Sequence, residues 1–100
     1  MIVVTGTMTL DPAKVDDARQ AMLTMMEASN AESGCLSYRF AADLTEPGTF
    51  HLIEQWEDDA AMEAHGATPH MAELMSAMGT LGVTAAEIWR HDVSGTSRIL

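Results

Sequence analysis

Apolar and polar residues alternate from the first positions of the chain. Ile2, Val4, Met8 and Leu10 fall on one face of an extended segment, and Val3, Thr5, Thr7 and Thr9 on the other, which predicts a strand over residues 2–10. Gly6 interrupts the first face, and a glycine inside a strand marks the close approach of another group. Asp11-Pro12 then announces a helix, with Asp as N-cap and Pro at the first helical position, where its missing N–H costs nothing. From residue 12 to about residue 31, Val15, Ala18, Met22, Met25, Met26 and Ser29 recur at helical spacing. Asp16, Asp17, Gln20 and Glu27 lie largely opposite, so one stripe of this helix is buried.

Ser33-Gly34 ends the connection, and a second strand is expected over about residues 35–43, closed by a turn at Glu46-Pro47-Gly48. In the third strand, residues 49–57, Phe50, Leu52, Glu54 and Trp56 share one face and His51, Ile53 and Gln55 the other. Asp58 caps a short helix to about residue 66. Thr68-Pro69 restarts helix by the same device as far as about residue 78, with Gly79 and Gly82 beyond it. A fourth strand over about residues 83–91 leaves a loose tail over 92–100. The order β-α-β-β-α-β predicts an α+β, ferredoxin-like fold, with helices on one face of a four-stranded antiparallel sheet. The other face would then expose the second apolar set of the third strand. Pairing two sheets face to face removes that exposure, so the pattern predicts a homodimer.

One hundred residues make one domain, 1–100, whose small core a partner copy would supplement. Fifteen acidic against five basic residues give a net charge of −10, and the scattered Lys14, Arg19, Arg39, Arg90 and Arg98 offer no basic patch. A nucleic-acid partner is therefore excluded, because phosphate contacts need clustered cations. The single Cys35 permits no intrachain disulfide and fits a cytoplasmic location; with no basic residue beside it, it reads as a small core residue. The opening residues lack the charged and apolar regions of a signal peptide. No apolar run approaches the roughly 20 residues of a membrane helix.

His65 and His70 are the most suggestive side chains. Imidazole titrates near neutrality, so a histidine in a pocket can take a proton and return it. Their five-residue spacing, with Pro69 between, departs from the i, i+4 geometry of a helical zinc pair, and His51 and His91 lie on separate strands; no metal is expected. Glu54, a carboxylate among Phe50, Leu52 and Trp56, needs a partner or a proton. His65 would complete an acid–base pair with it, while Arg39 or Arg90 would form a structural salt bridge. Trp56 suits either the core or a flat wall for a stacked ring. The nine methionines fit core filling first and an adaptable pocket wall second.

The run Gly34-Cys35-Leu36-Ser37-Tyr38, then Phe50, Glu54-Gln55-Trp56, then His65 and Thr68-Pro69-His70, resembles the antibiotic biosynthesis monooxygenase superfamily in order and spacing. The flanking elements agree in type, so the likeness spans about residues 1–91. It implies a dimeric α/β barrel with a pocket in each subunit between sheet and helices. It also implies oxygenation of a quinol, an anthrone or a similar activated phenolic by dioxygen, without metal, flavin or other cofactor. In that chemistry the deprotonated substrate itself passes an electron to oxygen. His65, His70 and Glu54 are then the catalytic candidates, and Trp56, Gly6 and Tyr38 would line the substrate site. Haem-degrading relatives carry an Asn where this chain has Gly6, a Trp near His65 and their haem-ligand His near Met75, so haem is not expected. The scaffold also hosts isomerases or lyases of small polar metabolites, and a non-enzymatic ligand-binding dimer is a third reading.

Overall fold

A computed structural model describes residues 1–100. Its elements are β1 (Ile2–Leu10), α1 (Val15–Asn30), β2 (Cys35–Ala42), β3 (Thr49–Trp56), α2 (Asp59–Gly66), α3 (Pro69–Ala77) and β4 (Val83–Asp92). The strands form one antiparallel sheet in the order β2-β3-β1-β4. This is the ferredoxin-like arrangement that the alternation predicts.

The caps act where the sequence places them. Asp11 accepts the Ala13 N–H at 3.0 Å, Asp58 accepts that of Ala61 at 2.9 Å, and the Thr68 hydroxyl accepts that of Met71 at 3.3 Å. The one departure is at Pro12–Lys14, a single 3-10 turn, so the α-helix proper starts at Val15. No helix or strand follows Asp92. No helix is long and apolar enough to cross a membrane.

Period-two patterning decides which sheet face meets the helices. Ile2, Val4 and Leu10 of β1 and Phe50, Leu52, Glu54 and Trp56 of β3 are buried, together with Ala18, Met22 and Met25 of α1. From α2 and α3, Ala61, Met62, Met71 and Leu74 close over the same face. An irregularity between Cys35 and Ser37 inserts one residue into β2. Cys35 and Tyr38 therefore both reach the helix side, although an odd spacing would otherwise send them to opposite faces. Gly34 precedes this bulge with φ 83°, and a Cβ there would lie 2.5 Å from the Ala61 Cβ. Only glycine lets the chain enter β2 so close to α2.

The other sheet face has no helix over it. Ile53 is 48% exposed and Trp89 58% exposed there. Polar side chains on this face pair locally: His91 with the Thr5 hydroxyl at 2.9 Å, and His51 with Asp43 at 2.7 Å. The two histidines do not converge with each other or with the histidines of the helices.

Candidate active site

A cavity of about 430 Å³ separates α2 and α3 from the sheet. Gly6, Tyr38, Leu52 and Glu54 contribute to its floor, and His65 with Met62, Met71, Met75 and Met78 to its roof. No lysine or arginine lines it. The close approach expected at Gly6 is that of β4: a Cβ would lie 3.0 Å from the Glu87 carbonyl oxygen and from Ile88 Cγ1. A side chain at position 6 would therefore push β4 away and fill the cavity floor.

His65 occupies the last turn of α2 and is 4% exposed. Its ring tilts against Trp56, with centroids 4.7 Å apart, and against Tyr38 at 5.5 Å. Nδ1 lies 2.7 Å from Oε2 of Glu32, whereas Nε2 is buried with no hydrogen-bond partner. His70 Nε2 lies 2.8 Å from the same Glu32 oxygen. His70 is not part of the cavity wall; it lines an outer cleft of about 290 Å³ between α1 and α3. The two histidines meet because the helix breaks between them. Five residues along one continuous helix turn through about 500°, which leaves side chains about 140° apart. At Thr68-Pro69 the chain restarts instead, and the Thr68 hydroxyl ties the junction by donating to the His65 carbonyl at 2.7 Å.

Glu54 finds neither of the cationic partners that the sequence suggests, nor does it hydrogen-bond His65. Its partner is Trp56, whose Nε1–H donates to Glu54 Oε2 at 2.8 Å. Arg39 donates to the Tyr38 carbonyl, and Arg90 pairs with Asp59 and Asp92. Burial pushes the Glu54 carboxyl above its ordinary range, opposed by the Trp56 hydrogen bond and by His65 and reinforced by Glu32. Trp56 itself is 0% exposed and does not line the cavity. It lies behind His65 and Glu54 and holds both, so the structure gives it the position of a support and not of a wall.

Tyr38 lines the cavity, and burial together with the Glu54 and Glu32 charges pushes its hydroxyl far above the usual phenol range. It is a neutral phenol at any physiological pH. Burial, then Glu32 and Glu54, likewise push the Cys35 thiol up, which keeps it a thiol and not a nucleophilic thiolate.

Glu32 is the residue that sequence reasoning misses. It sits in the turn between α1 and β2, outside every periodic pattern, 33 residues from His65 and 38 from His70. Glu32, His65 and His70 place three donor atoms within 4.8 Å of one another, the one set here that could hold a cation. Their 2.7 and 2.8 Å separations are hydrogen-bond lengths. Ligands bound tetrahedrally to zinc at about 2.0–2.1 Å stand about 3.3 Å apart, so the cluster as it stands is a hydrogen-bonded one.

Comparison with known proteins agrees with this architecture. The uncharacterized protein sll1783 of Synechocystis sp. is 33% identical over 98 residues, 98% of this chain and 67% of its own. YcnE of Bacillus subtilis, provisionally named a monooxygenase, is 31% identical over 70 residues, 70% of this chain and 74% of its own. A crystal structure from Deinococcus radiodurans, provisionally named an antibiotic biosynthesis monooxygenase, superposes with a TM-score of 0.94 at 29% identity, covering 100% of this chain and 99% of the other. The family model of antibiotic biosynthesis monooxygenases matches residues 1–77, and the chain belongs to that family.

Proposed function

We propose that the protein is a monooxygenase that deprotonates a quinol, an anthrone or a similar electron-rich phenolic in the cavity and exposes the anion to dioxygen. One observation carries the reading: the buried, unpartnered Nε2 of His65, on a residue that lines a mainly apolar chamber together with Tyr38 and Glu54. A buried ring nitrogen without a partner is costly to a fold and useful to a base. The methionine roof and the Tyr38 and Phe40 rings suit a flat apolar ring system. The absence of cationic lining disfavours a phosphorylated or carboxylated metabolite, and with it the isomerase reading.

For an anthrone the balance is simple. His65 Nε2 takes one proton from the ring CH₂, and the resulting anion gives one electron to dioxygen. The two radicals combine in a C–O bond to form a peroxide, which takes up a proton. Loss of the second ring hydrogen with cleavage of the O–O bond leaves a C=O and releases water. The substrate is the reductant throughout, so the chemistry asks the protein for a base, a neutral donor and a dry chamber. Tyr38, held as a phenol, is the donor for the substrate oxygen.

The reading extends to a cytoplasmic homodimer, in which the uncovered sheet faces pair and bury Ile53 and Trp89. The test is an oxygen-electrode screen of hydroquinones and anthrones. Oxygen uptake that depends on protein and substrate supports the reading. Turnover of any of these compounds under strict anoxia would refute it.

A further inference from the structure

We infer that Glu32 and His70 form a positioning pair that locks His65 in the one tautomer that leaves Nε2 free to act as a base. The inference rests on the proposed role of His65 and on the donors and acceptors around Glu32. An ionised carboxylate only accepts hydrogen bonds. Two ring nitrogens face one oxygen of Glu32, at 2.7 Å from His65 and 2.8 Å from His70. Both must therefore carry N–H groups, because a bare ring nitrogen at that distance would set lone pair against lone pair. With its proton on Nδ1, a neutral His65 has its lone pair on Nε2, the buried atom with no partner. The opposite tautomer would carry an N–H at Nε2, and that atom could not accept a proton.

His70 supplies what one hydrogen bond cannot. A glutamate held by a single contact can swing about its χ angles, whereas a second donor from a different helix fixes the carboxylate in place. The Glu32 backbone is already held by the turn: its N–H donates to the Ser29 carbonyl at 3.1 Å, and its carbonyl accepts from the Cys35 N–H at 3.2 Å. Three elements thus converge on one oxygen: the α1–β2 turn, the end of α2 and the start of α3. In this arrangement His70 touches the outer cleft and not the cavity, so it acts through Glu32 and is not an alternative base. When His65 has accepted the substrate proton, the same carboxylate stabilises the imidazolium, as the buried acid of a serine-protease triad does.

Nitrogen NMR of protein labelled with ¹⁵N-histidine tests this without any substrate, the His65 signals being assigned by their loss in His65→Gln. At neutral pH the expected spectrum has His65 protonated at Nδ1 and bare at Nε2. Glu32→Ala should abolish that single tautomer, whereas His70→Gln should keep it, since an amide N–H still donates to Glu32 but cannot act as a base. With a phenolic substrate in hand, Glu32→Ala should cut kcat by about 10²-fold or more. A wild-type His65 protonated at Nε2 overturns the inference even if no variant folds, and so does a tautomer unchanged in folded Glu32→Ala. A failure of the base reading looks different: the Nδ1–H tautomer would be present, yet His65→Ala would keep full oxygen uptake.

Discussion

Replacing Trp56 by phenylalanine is the most informative perturbation of the core, because two separable costs meet in that side chain. The indole is fully buried, and its N–H is the only hydrogen bond that the Glu54 carboxylate receives from the protein. The apolar part of the cost follows from the lost area, roughly 40 Å², which at about 25 cal/mol per Å² gives about 1 kcal/mol before any term for the space left behind. The polar part is larger. Hydrogen bonds to charged groups are worth about 1.5–3 kcal/mol, so the total should be about 2.5–4 kcal/mol where Glu54 is ionised. In Glu54→Gln, which keeps an acceptor but no charge, the same Trp56→Phe change should cost at least about 1 kcal/mol less.

The pH dependence has a definite sign. Glu54 is raised in the folded state by burial and held back by the Trp56 N–H. A raised carboxyl favours the fold at low pH, and that contribution is lost as pH rises from the unfolded value of about 4.3 through the folded one. Removing the N–H raises the folded value further, so the Trp56→Phe penalty must grow as pH rises between the two folded values, and be smaller at pH 4 than at a pH above both. Urea unfolding followed by Trp89 fluorescence, at one fixed protein concentration, measures all four proteins of the cycle. Equal penalties in both backgrounds, within about 0.5 kcal/mol, and at both pH values would refute the reasoning.

Other perturbations probe other parts of the molecule. His65→Ala should lower kcat by about 10²–10⁴-fold in oxygen uptake, and retention of full activity would remove His65 as the base. Ile53→Asp places a charge at the centre of the uncovered sheet face, and sedimentation should show a homodimer converted to monomer or unfolded chain; a wild-type monomer at micromolar concentration would sink the pairing. Asp43 is held well below the usual carboxylate range by His51, by the backbone N–H groups of Thr45 and Glu46, and by the Thr45 hydroxyl. Its contribution to stability is complete above about pH 4 and is lost as pH falls through the depressed folded value, so the difference between wild type and Asp43→Ala in acid unfolding should shrink below pH 4.

Much of the fold was legible because period-two and helical patterning, caps and turn glycines are local signals. Asp58 and Thr68-Pro69 mark real helix starts, and the apolar set of residues 50–56 points at the real core. The candidate site was legible only in part. His65, Glu54, Tyr38 and Gly6 do converge on one cavity, since strand parity and the family spacing fix their faces. The Trp56–Glu54 hydrogen bond was within reach, because residues two apart on a strand share a face. Glu32 was not, because its partners are brought to it by a helix break and a chain reversal that no periodicity records. The same break explains why the five-residue spacing of His65 and His70 hid their meeting point.

The cavity's lack of a lysine or arginine has a consequence for oxidation. In the proposed reaction an anion formed there would meet no resident cation, and the one acidic side chain on the wall, Glu54, would add charge of its own sign wherever it is ionised. Repulsion of that kind raises the energy of its most loosely held electrons and makes it a stronger reductant. On that reading, the positive charge closest to it would be the proton surrendered to His65. When an electron then passed to dioxygen, negative charge would leave the ring and reappear on the oxygen, while the imidazolium stayed where it was made. One electron moves, and no ion has to follow it.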